Sequence, residues 1–154
     1  MVKTLKQYDF YDCIEKGLLR NMPSSKENAE KSIKTALQWI GEGEKNLKIN
    51  TLNSAIIAFY LAMFHSARAI LFFDGYREKS HYCIARYLEE KYAKKKLLEN
   101  RWIELLDYYR EIRHNDQYNV NSFITKEEAE NAFKSAKEFV ERMDKLLNNL
   151  KNRH

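Results

Sequence analysis

The sequence predicts an all-α fold, an up-and-down antiparallel four-helix bundle preceded by a short arm, with five helices in total as the upper count. Three observations carry this. Only 4 Gly and 1 Pro punctuate 154 residues, too few turn signals for a many-stranded sheet. The 10 Tyr, 8 Phe and 2 Trp supply large packing units, and they sit in long segments rather than short alternating ones. Within those segments apolar residues recur at steps of three and four, the signature of amphipathic helices. A 44% apolar share with 32% charged residues is enough to bury one core and stay in solution, which argues against disordered and fibrous classes.

Each element follows in order. Residues 1–23 read as an N-terminal arm. Ser24 followed by Glu27 reads as a capping box, after which Ala29, Ile33, Ala36, Leu37 and Ile40 mark one buried face. Gly41 and Gly43 weaken that helix, and Lys48 to Asn50 make the first connection. From about Leu52 the chain is apolar nearly all round, as expected of an element covered on several sides. His65, Ser66 and Arg68 interrupt the 19-residue stretch Ala55 to Phe73, so a central core helix is expected and no membrane span. Asp74-Gly75 ends it, and Ser80 opens a third helix running to about Tyr92. Lys94 to Lys96 form a solvated connection or open the next helix.

The fourth helix carries Trp102, Leu106, Tyr109, Arg113 and Asp116 on one stripe, a seam that turns polar halfway. Residues 119–123 are expected to be a loop. Thr125 to Glu128 is a second capping box, and Ala132, Phe133, Ala136, Val140, Met143, Leu147 and Leu150 line the last helix. The bundle spans 24–150, with a basic tail at 151–154. Cys13 and Cys83 make no paired motif and share no metal-ligand spacing with the four histidines, so neither a disulfide scaffold nor a metal or other cofactor site is expected. The acidic N-terminus lacks the apolar stretch of a signal peptide, which predicts a reducing cytoplasm.

Residues 109–118, YREIRHNDQY, are the most informative stretch. Arg110, Arg113, His114 and Gln117 share one face at steps of three and four. An arginine on a seam begun by Trp102 and Leu106 either pairs with a carboxylate or faces a cleft or interface, because an unpaired buried charge is costly. An Arg113–Asp116 ion pair is the plain structural alternative. On the core helix, His65 reads as a satisfied core histidine and Arg68 as a partner in an internal salt bridge. His81, just after Ser80, reads as a capping or surface residue. Between Tyr76 and Arg101 eight Lys/Arg face four Glu, a solvated basic surface. Tyr82, Tyr87 and Tyr92 there step by five, which does not align on an α-helix face, so no base-stacking platform is expected.

The runs AFYLAMFHSARAIL, GYREKSH and REIRHNDQY, at these separations, resemble the HEPN domain, specifically its small stand-alone prokaryotic branch. The resemblance covers roughly Ser24 to Leu150 and implies a helical bundle. It also implies RNA or nucleotide chemistry, since many HEPN proteins are metal-independent ribonucleases with an arginine, a polar residue and then a histidine. Arg113 and His114 match the first two positions; Tyr118 stands where the histidine is expected, with Gln117 and Asp116 before it. The resemblance therefore assigns catalysis to Arg113, His114 and Tyr118, and substrate contacts to Arg110, Asp116 and Gln117. Chemically, an arginine there can stabilise charge on a scissile phosphate while His114 or Tyr118 polarises the 2′-hydroxyl. Five residues along a regular helix separate Arg113 from Tyr118 by about 140°, so they meet only through an irregularity or across a dimer. The resemblance further implies a homodimer with paired motifs, a toxin–antitoxin or defence setting, and, as the alternative function, a non-catalytic module that partners a small nucleotidyltransferase.

Overall fold

A computed structural model describes residues 8–118 and 123–153, with the side chains of 115–118 excepted. The elements, in chain order, are α1 (Phe10–Glu15), β1 (Leu19–Asn21), α2 (Lys26–Lys48), α3 (Leu52–Asp74), β2 (Tyr76–Glu78), α4 (His81–Leu88), α5 (Asn100–Tyr118) and α6 (Lys126–Asn152). A five-residue π-helical turn, Glu89–Ala93, extends α4. The bundle of α2, α3, α5 and α6 is the predicted one.

Direction alternates along the chain. Only Ile49 to Thr51 separate α2 from α3, which forces the pair antiparallel, and Ser32 on α2 donates to the His65 carbonyl at 2.6 Å. The α5–α6 pair is likewise antiparallel: Arg142 holds Glu99 at 2.9 Å, and Trp102 meets Phe139 edge-on with ring centres 6.0 Å apart. Lys151 reaches Glu30 at 3.2 Å, so the last turn of α6 is tied to the first turns of α2. The Arg142 and Trp102 hydrogen bonds hold the Glu99 carboxyl down at about 2.

Caps set the helix ends. Ser25, one residue beyond the expected Ser24, accepts from the Asn28 amide at 3.0 Å and starts α2; Thr125 accepts from the Glu128 amide at 3.1 Å and starts α6. Gly75 closes α3 in the left-handed region at φ +89°, where a Cβ would lie 2.8 Å from the Met22 carbonyl, so two constraints select glycine. Gly43 has a different role from the one its type suggests. The helix runs through it, and a Cβ there would sit 2.3 Å from the Phe59 ring, so its value is the close approach of α2 to α3.

The centre is α3, long and apolar enough to cross a membrane by composition, yet buried among its neighbours from Ala55 to Leu71 on most sides. Ala36, Ala62 and Val140 form a small-residue seam between α2, α3 and α6.

The arm is the chief departure from expectation. It folds back onto the bundle through α1, an antiparallel pairing of β1 with β2 (Leu19 opposite Glu78, Asn21 opposite Tyr76) and a disulfide between Cys13 and Cys83. That disulfide runs against the expectation of no disulfide scaffold. Both are fully buried, which shields the bond from soluble thiols. The tyrosines at 82, 87 and 92 are buried too, so this basic stretch is less solvated than its composition implies. Arg86 is also buried, while Lys94 to Lys96 remain exposed. The wider π-helical turn lets residues five apart converge: Tyr87 and Tyr92 both donate to the Asp74 carboxylate, at 2.7 and 2.5 Å.

Candidate functional site

Three elements meet where the α5 seam turns polar: the middle of α3, the start of α4 and the second half of α5. Their polar side chains divide into two groups according to whether a carboxylate answers each cation.

In the first group each cation has a carboxylate partner. Asp107, one turn before Arg110, accepts from Arg110 at 2.5 Å through one oxygen and from Arg86 at 2.6 Å through the other. Both guanidinium groups lie over the Tyr82 ring, at 4.5 Å for Arg86 and 4.9 Å for Arg110. Arg68 forms a two-point ion pair with the buried Glu78 of β2, as the expected internal salt bridge, and lies 4.7 Å over Phe64.

The second group is Arg113 and what lies beside it. Arg113 is partly buried, its Nε is sealed from solvent with no hydrogen-bond partner, and among the described residues no carboxylate pairs with it. Its guanidinium carbon stands 5.7 Å from the centre of the Tyr60 ring. The Tyr60 hydroxyl in turn meets His81 Nδ1 at 3.0 Å, and the His81 ring stacks on Phe64 with centres 4.0 Å apart. His81 is thus packed inward on α3, which corrects its reading as a cap or surface residue; Ser80 makes no side-chain cap either. Burial first, then the positive charges of Arg113 and Arg68, hold the His81 imidazole down at about 4, so it is neutral at physiological pH. Burial raises the Tyr60 hydroxyl, which stays protonated.

His65 packs edge-on to Phe64 at 5.0 Å, and burial and Arg68 keep it neutral, down at about 4. The ring is only partly buried and borders a surface pocket with Ser32, Arg68 and Arg77, which departs from its reading as a satisfied core histidine.

The predicted site residues are distributed unevenly. Arg110 and Arg113 lie on the inner side of α5, whereas His114 is exposed. Asp116, Gln117 and Tyr118 belong to the last turn of α5, and their side chains, with the Arg113–Asp116 pair and most of the 119–123 loop, fall outside the described residues. The sequence reading did not single out Tyr60 and gave His81 another role; the two partners are 21 residues apart and so leave no local signal. Among the described residues no three of His, Cys, Asp and Glu are grouped to hold a metal ion.

The HEPN domain family matches residues 26–146, which takes in α2, α3, α5, most of α6 and every residue of this cluster. The chain belongs to the HEPN family. No curated protein matches it. HEPN membership accounts for the helical bundle, and it places Arg113 and His114 inside the matched region at the polar end of α5.

Proposed function

We propose that this HEPN-domain protein binds RNA or nucleotides at the Arg113 end of α5 and acts there as a metal-independent endoribonuclease. The observation that supports this is Arg113 itself, a half-buried guanidinium that no carboxylate among the described residues pairs with, one turn from an arginine that has one. A phosphate diester supplies the missing anion, and a guanidinium so placed stabilises the charge that builds on phosphorus during cleavage. His114 and Tyr118 are the proton-transfer candidates of this reading, and Asp116 and Gln117 contact the substrate. Arg110 shares its charge between Asp107 and the strand. Two copies of the chain pair their α5 ends in a homodimer, in a cytoplasmic toxin–antitoxin or defence setting.

Tyr118 in the histidine position supports a second reading, a non-catalytic module that partners a small nucleotidyltransferase. Purified protein incubated with total RNA in EDTA separates the two. Chelator-resistant cleavage that Arg113→Ala reduces by about a hundredfold supports the enzyme. Absence of cleavage together with an Arg113-dependent complex with a nucleotidyltransferase supports the module.

A further inference from the structure

Among the described residues of α5, Arg110 beside Arg113 is held by Asp107. The nearest polar side chains come instead from other elements. Tyr60, itself 1% exposed, lies under the Arg113 guanidinium and uses its hydroxyl on His81. Phe64 and Tyr60 fix the imidazole plane from α3, with ring centres 4.0 and 6.0 Å away. Arg113 and His81 thus share Tyr60, one over its ring and the other at its hydroxyl, and among the described residues no carboxylate pairs with the arginine.

We propose that His81 completes the Arg113 site, the two side chains together forming one phosphate-binding unit to which α4 contributes the imidazole and α5 the guanidinium. The inference rests on the reading of Arg113 as a phosphate ligand and extends it to a residue outside the α5 motif. The Tyr60 hydroxyl and His81 Nδ1 occupy each other at 3.0 Å. In the proposed unit Tyr60 donates to Nδ1, and Nε2–H is the donor left for the phosphate. The phosphate belongs either to a free nucleotide or to an RNA strand, and the chemistry of recognition is shared.

Charge makes the unit responsive. His81 faces Arg113 and Arg110 from α5, and Arg68, His65 and the Tyr60 hydroxyl from α3, a surrounding in which cations predominate. An anion bound between Arg113 and His81 cancels the dominant repulsion and favours the imidazolium. Binding of phosphate and protonation of His81 are therefore linked, each strengthening the other.

The test is an NMR titration of the His81 ring in the full chain, alone, with inorganic phosphate, with adenosine monophosphate and with a short uncleavable RNA. The free protein is expected to titrate at about 4, with the Nε2–H tautomer above that. Saturating probe is expected to move the midpoint upward by about one pH unit or more. Arg113→Gln should abolish the movement, and His81→Gln should weaken binding of the same probe about tenfold. Tyr60→Phe, which keeps the ring, should remove the tautomer preference. Movement with adenosine monophosphate assigns a nucleotide, and movement with RNA alone assigns a strand. Probe binding that needs Arg113 but leaves the His81 midpoint fixed and survives His81→Gln overturns this inference while sparing the Arg113 reading. No binding of any probe overturns both.

Discussion

Phe59 and Tyr60 are neighbours on α3, equally buried, and they face opposite kinds of surroundings. Phe59 looks toward α2 and α6, stacked on Phe133 with ring centres 5.3 Å apart and pressed against the bare backbone of Gly43. Tyr60 looks toward α4 and α5, with His81 at its hydroxyl and Arg113 over its face. One side of the helix is held by close contact of apolar surfaces, which tolerates no added volume. The other is held by charges that must be answered one by one, and one of them, Arg113, has no carboxylate among the described residues. The same helix thus serves as the structural centre and as the floor of the candidate site.

The largest expected effect falls on the polar side. Asp107→Ala removes the one carboxylate that serves both Arg86 and Arg110, whose side chains are 10% and 14% exposed, and should destabilise the fold by about 3 kcal/mol in denaturant unfolding. If the loss were negligible, the distinction between answered and unanswered cations would fail. On the apolar side, Gly43→Ala drives a methyl group into Phe59 and should cost about 2 kcal/mol, measured in the same way, with no effect on phosphate binding.

A smaller effect depends on pH. His65 and His81 both titrate at about 4 in the folded chain, below the ordinary 6.5. The unfolded chain therefore takes up protons first as pH falls. Stability from keeping these rings neutral is complete above about 6.5 and is lost progressively toward 4. Thermal midpoints recorded from pH 7 to 4.5 should decline, and His65→Gln combined with His81→Gln should flatten the decline. Glu99, held at about 2, contributes its own loss only below its ordinary 4.5.

The bundle was legible because its signals are local. Apolar spacing along residues 26–48, the all-round apolar character of α3, Gly75 and the Thr125 cap each act within a few residues. What was not legible depends on contacts far apart in sequence. The arm is fixed by a disulfide across 70 residues and by Leu19 opposite Glu78, and neither leaves a periodic trace. The Tyr87 and Tyr92 convergence on Asp74 needs a π-helical turn, which an α-helical wheel does not anticipate. Gly43 read as weakening the helix end because its residue type is informative about propensity, while its use here is contact with Phe59. At the site, the sequence singled out Arg113 from a seam that turns cationic. It did not supply His81, since Ser80-His81 looks like any helix start until Tyr60 is beside it.

The central claim, that Arg113 is an unanswered cation waiting for a phosphate, is tested most directly by the affinity for a labelled single-stranded RNA at fixed salt. The wild-type chain is compared with Arg113→Gln and with Arg101→Gln, an exposed arginine resting on Trp102 at 4.0 Å that serves as the control. The account predicts a loss of about tenfold or more for Arg113→Gln, with a salt dependence shallower by about one ion, and little change for Arg101→Gln. Equal losses in both variants, or none in Arg113→Gln, would contradict it.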